Sequence, residues 1–108
     1  MKKRISLFEV FGNNIVTRNS MSSFFEDIDS MKNTEIALDF NKVTFISRSC
    51  ADEYLKQRKA NKKKIVEVNI SENVCEMFRL VNRQYQKEGI NFLVEVSPKS
   101  ENCSLVFV

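Results

Sequence analysis

At 108 residues, with 43% hydrophobic and 29% charged residues, the chain has the composition of a globular protein and not of a disordered one. The formal net charge is +3 and the pI is near 8.8, a mild basicity that does not by itself imply a nucleic-acid partner. There is no histidine, and Cys50, Cys75 and Cys103 show no C-x-x-C spacing. That excludes the usual zinc sites and histidine-based triads, and it predicts free, mostly buried thiols in a reducing cytoplasm.

The first residues, Met-Lys-Lys-Arg, carry the charge of a signal peptide. Glu9 interrupts the apolar run Ile5-Ser6-Leu7-Phe8 at once, however, and no small-residue cleavage site follows. No apolar run approaches the ~20 residues of a membrane span. Residues 5–11, rich in Ile, Leu, Phe and Val, predict a strand. Gly12-Asn13-Asn14 supplies turn chemistry, and Ile15-Val16-Thr17 predicts a second strand forming a hairpin with the first. Met21, Phe24, Phe25, Ile28 and Met31 recur at helical spacing, with Asn19 or Ser20 as the cap. Ile36-Ala37-Leu38 reads as a central strand buried on both faces.

A loop and a helix follow. Cys50, Ala51, Tyr54 and Leu55 lie on one side of that helix, Asp52, Glu53, Lys56, Gln57 and Lys59 on the other, and Asp52 is spaced to pair with Lys56. The helix is expected to end near Asn61, where Lys62, Lys63 and Lys64 suit a C-terminus. Residues 65–70 alternate as a strand. Ser71 caps a third helix with Val74, Met77, Phe78, Val81 and Tyr85 as its stripe, and Gly89 stands at its C-cap. Residues 90–96 alternate again, residues 98–102 turn the chain, and residues 105–108 form a last strand. The predicted order is β-β-α-β-α-β-α-β-β: an α/β fold in a single unit over 1–108, with one mixed, largely parallel sheet and three amphipathic helices.

Ser47-Arg48-Ser49 sits where a strand end meets a helix start, the place where α/β sheets tend to build sites. Helix N-termini carry unpaired N–H groups and partial positive charge, so a phosphate is tolerated there and Arg48 can add charge-assisted hydrogen bonds. The bland alternative is capping: Ser49-x-x-Asp52 matches a capping-box pattern in which Ser49 accepts from the N–H of Asp52. The two roles are compatible. Cys50 invites a rival reading as a reactive thiol at a helix start, but it falls on the apolar stripe and no histidine can activate it. Arg79 and Arg83 share a helix face, either to grip an acidic partner or simply as solvated charges.

The stretch Asp39-Phe40-Asn41-Lys42-Val43-Thr44-Phe45-Ile46-Ser47-Arg48-Ser49, with the order of elements, resembles the STAS domain of anti-sigma factor antagonists and its D-x-S-G-V-x-x-x-D-S-S-G motif. The wording Ile46-Ser47-Arg48-Ser49-Cys50-Ala51-Asp52-Glu53 is closer to a divergent STAS-like branch of unassigned function. Asn41-Lys42 stands for Ser-Gly, Ser47 for the second aspartate and Cys50 for the final glycine, and closing strands replace a closing helix. The resemblance implies a regulatory protein-binding module, not an enzyme, with no cofactor. It implies Ser49, with Ser47 as second choice, as a phosphoacceptor for a histidine-kinase-like ATPase or anti-sigma-like partner. Asp39, Asn41, Ser47, Arg48, Ser49, Asp52 and Glu53 would form the docking surface. The competing expectation is a nucleic-acid-associated regulator using Lys59, Lys62, Lys63 and Lys64. No aromatic residues interleave with those lysines, as a single-strand binder requires.

Overall fold

The computed structural model describes residues 2–89, 94–96, 103 and 105–107. The strand expected over 90–96 is therefore seen only in part, and the turn expected over 98–102 and Val108 lie outside the described residues.

The fold is α/β. Strands β1 (Lys2–Ser6), β3 (Glu35–Asp39) and β5 (Lys64–Val68) form a parallel sheet in the order β1-β3-β5. Strands β2 (Asn14–Ile15) and β4 (Phe45–Ile46) make a short parallel pair, and β6 (Val94–Val96) pairs antiparallel with β7 (Leu105–Phe107). Helix α2 (Arg18–Ser30) carries the chain from β2 to β3. Helices α3 (Arg48–Ala60) and α4 (Glu72–Lys87) precede and follow β5.

The opening hairpin does not form. Leu7–Phe11, expected to continue the first strand, is a one-turn helix, α1, because Ser6 turns its hydroxyl onto the N–H of Glu9 and caps it. This turn buries Leu7 in the core. It also sends β1 and β2 to different partners, β3 and β4, each of them parallel.

Strand β3 is central, as its apolar run predicts, but it is buried on one face only. Ile36 and Leu38 are buried, while Glu35, Ala37 and Asp39 remain partly open. In the alternation over residues 65–70, which sets Val66, Val68 and Ile70 against Glu67 and Asn69, the pair Val66 and Glu67 is reversed, while Ile70 is buried and Asn69 exposed. Val66 is 46% exposed, whereas the Glu67 side chain is only 3% exposed. Glu67 is held inside by the Tyr54 hydroxyl and by Arg58 Nε at 2.7 Å, and Arg58 also donates to the carbonyl of Ile65. A buried carboxylate with a charged partner and a hydroxyl donor meets the condition under which burial of charge is tolerated.

The core between sheet and helices is a run of edge-on aromatic contacts. Phe11 meets Phe24, Phe24 meets Phe25, Phe25 meets Tyr54, and Tyr54 and Phe78 both meet Phe40, with ring centroids 5.3–6.2 Å apart. Tyr54, fully buried, joins α3 to α2, to α4 and to Phe40 beyond β3. Its burial, with the charge of Glu67 next, pushes the phenol pKa well above its ordinary value.

The expectation of three free thiols is corrected. Cys75, on the buried face of α4, is joined to Cys103, just before β7, and only Cys50 is free. The pairing is possible because α4 and the C-terminal strands place the two Cα atoms 6.0 Å apart. No helix among the described residues is long and apolar enough to cross a membrane.

Candidate functional site

The site is built from the first turn outward. Strand β4 ends at Ile46 and Ser47 is the N-cap of α3, in extended conformation, its Oγ accepting from the N–H of Cys50 at 3.2 Å. The same hydroxyl donates to the Val16 carbonyl at 2.6 Å and so ties the helix start to the segment after β2. The capping box expected of Ser49 does not form; a simple N-cap at Ser47, two residues earlier, takes its place. Ser49 stands in the first turn, exposed, its Oγ 3.4 Å from that of Ser47. The cap of α2 moves likewise, from Asn19 or Ser20 to Thr17, which accepts from the Ser20 N–H. The caps of α4 at Ser71 and the end of α3 at Asn61 fall where the pattern puts them.

An open groove of about 490 Å³ runs from Ser49 between α3, α4 and the start of α2. Arg18, Arg48, Lys56, Asp52 and Tyr85 line it, with Val81, Gln84 and Glu88. Asp52 is the hub. It accepts from Arg18 at 2.8 Å, from Lys56 at 3.2 Å and from the Tyr85 hydroxyl, which also reaches the Asp52 backbone carbonyl at 3.1 Å. Arg18 spans to Glu53 at 2.9 Å, and Arg48 donates to the neutral Gln84 side chain at 3.0 Å.

Burial is the largest influence on Asp52 and opposes its ionisation. The hydrogen bonds from Tyr85, Arg18 and Lys56 together outweigh it and leave its pKa below the usual carboxylate range. The bonds to Asp52 and then to Glu53 raise the pKa of Arg18. Burial, then the bond to Asp52, raises that of Tyr85.

The residues expected to form one docking surface divide into two groups. Arg48, Ser49 and Asp52 line the groove, Ser47 borders it, and Glu53 holds Arg18. Asp39 and Asn41 belong to a different arrangement. Asp39 Oδ1 accepts from the Asn41 N–H at 2.9 Å and from Asn69 at 3.0 Å, and Oδ2 accepts from Arg4 at 2.9 Å. Burial again acts against ionisation, and these bonds from Asn69, Asn41 and Arg4 still lower its pKa. Asp39 therefore fixes the turn after β3 and ties it to β1 and to the end of β5. In that turn Val43 N–H donates to the Phe40 carbonyl and Lys42 adopts φ 72°, the left-handed conformation that glycine accepts at least cost.

Cys50 is buried and its thiol faces the Thr17 carbonyl at 3.5 Å. Burial pushes its pKa up to about 12, against the pull of Arg18. A thiol in this state is a weak nucleophile at neutral pH.

Arg18 and Tyr85 enter the site without a local signal in the sequence. Tyr85 lies on the apolar stripe of α4, where only its hydroxyl leaves the core. Arg18 is more than thirty positions from its partners, and no local signal could pair them. Among the described residues no three metal-ligating side chains gather. Comparison with protein families, with curated proteins and with solved structures finds no match to this chain.

Proposed function

We propose that the chain is a non-catalytic, STAS-like regulatory module that docks through the 47–49 loop and the outer face of α3 onto a partner protein. In this reading Ser49 is the switch. A histidine-kinase-like ATPase transfers the γ-phosphoryl group of ATP to Ser49 Oγ, the hydroxyl proton is lost and ADP leaves. The setting is the cytoplasm, which requires the Cys75–Cys103 pair to be reduced there.

One observation carries the proposal: Ser47 caps α3, so the Ser49 hydroxyl is left exposed on the first helical turn beside a groove edged by Arg48, Arg18 and Lys56. A phosphoryl group there meets the positive end of the helix and the guanidinium of Arg48, whose only partner among the described hydrogen bonds is uncharged. The helix would survive such a modification. The change falls on the surface, where about two negative charges appear next to Asp52 and repel an acidic or closely packed partner.

Two further observations support the resemblance. Lys42 has the backbone conformation that suits the glycine it replaces in the motif, and Asp39 anchors the turn. An exposed apolar strip borders the serines, with Val16 at 55% and Phe45 at 45% exposure. Isolated surface hydrophobics are ordinary, but a group of them beside a polar rim suits a contact surface.

The test uses the intact chain. Pull-down from native lysate with mass spectrometry identifies the partner and the phosphosite, and titration with the purified partner compares variants. Ser49→Ala should bind as the wild type does, and Ser49→Asp at least about tenfold more weakly, a loss of roughly 1.4 kcal/mol. Equal affinities for the two variants would end the switch reading.

A further inference from the structure

We propose that the end of the sheet remote from Ser49 is a docking surface for the phosphate backbone of duplex nucleic acid, independent of base sequence. The fold itself assembles it. Strands β1, β3 and β5 are parallel and in register, with Lys2, Glu35 and Lys64 side by side. Their starts therefore lie at one end of the sheet, two interstrand spacings or about 10 Å across. The N-terminal lysines and the lysine run before β5, some sixty positions apart in the chain, become neighbours.

Lys63 completes the assembly. It is half-buried, and its ammonium donates to the carbonyls of Met31 at 2.5 Å and Asn33 at 2.8 Å, binding the loop before β5 to the loop before β3. That brings Lys32 into the same rim. Helix α3 returns the chain from the Ser49 end to this one over 13 residues, roughly 20 Å, and delivers Lys59. Lys2, Lys3, Lys32, Lys59, Lys62 and Lys64 are all exposed. Of the carboxylates facing them, Glu35 is 4.0 Å from Lys2, and Asp29 accepts from Asn61 at 2.8 Å. Lysines still outnumber carboxylates there when Glu26 and Asp27 of the last turns of α2 are included.

The chemistry of the rim selects the polyanion. Single-strand binding relies on aromatic platforms, and among the described residues no aromatic side chain belongs to the rim. A lipid surface favours an apolar insertion beside the charges. The exposed large apolar residues Phe8, Val10, Val16, Phe45 and Leu80 belong to α1, the segment after β2, β4 and α4, and of the exposed large apolar residues described Val66 alone borders the rim. What remains is a row of point charges carried on the end of a sheet, suited to phosphates that are closely spaced on a stiff rod.

The experiment measures fluorescence anisotropy of a labelled 25-base-pair duplex of arbitrary sequence, with the intact chain, at 50 and 200 mM salt. Binding at 50 mM is expected, weakening roughly 100-fold at 200 mM if about four phosphates are neutralised. The pairs Lys2→Gln/Lys3→Gln and Lys62→Gln/Lys64→Gln should each lower the slope of log K against log salt by about 2, with Arg83→Gln as an unaffected control. Circular dichroism checks that each variant is folded. Several outcomes overturn the proposal: no binding at 50 mM, tighter binding to a single strand or to vesicles containing phosphatidylserine, or an effect from only one of the two lysine pairs. Ser49 variants should leave this binding unchanged, so its failure is separable from that of the switch.

Discussion

Ser47 and Ser49 are two residues apart and carry different duties. Ser47 accepts from the Cys50 N–H and donates to the Val16 carbonyl, so its one hydroxyl proton is committed. Ser49 caps nothing. A Ser47→Ala substitution is expected to lower the free energy of unfolding by about 0.5–2 kcal/mol, the range for a lost N-cap. Ser49→Ala should stay within about 0.5 kcal/mol of the wild type. Urea unfolding of the two variants side by side checks the assignment, and equal losses would contradict it.

At the scale of elements, the C-terminal strands are fastened to α4 by Cys75–Cys103, which closes a loop of sequence separation 28. In the chain-entropy account such a cross-link stabilises by about 3–4 kcal/mol. Unfolding with and without dithiothreitol should show a loss of that size for the wild type and none for Cys103→Ser. Alkylation of thiols at the moment of lysis reports which form the cell holds. Free Cys75 in the cell agrees with the proposed cytoplasmic setting, and a fully oxidised pair excludes it.

For the whole molecule, Asp39 and Asp52 are the two described carboxylates with lowered pKa, and both tie elements together. Asp39 joins the end of β3 to β1 and to the end of β5, and Asp52 joins α3 to α4 and to the start of α2. A carboxyl with a folded pKa below its unfolded value contributes stability that is present above the unfolded pKa. That contribution is lost as pH falls through the folded one. Stability should therefore hold down to about pH 4 and then fall steadily, and the urea midpoint between pH 6 and 2 measures it. Asp39→Asn should be less stable at pH 6 and show a shallower acid slope, because it removes one of the two titrating ties.

By itself the sequence determined the α/β alternation, the helical stripes, the cap at Ser71, the end of α3 at Asn61 and the strand-to-helix junction at 47–49. Each of these is written in neighbouring residues: a period of 3.6 or 2, a hydroxyl before an apolar run, a solvated lysine stretch. Tertiary structure alone decided which of two serines caps α3, because the carbonyl that engages Ser47 comes from the segment after β2. It also turned Glu67 inward against the apparent alternation, since the partners that make this tolerable lie on α3. It paired Arg18 with Asp52, joined Cys75 to Cys103 and gathered two distant lysine runs into one rim. Those outcomes depend on contacts between segments about ten to sixty residues apart, which no local window contains.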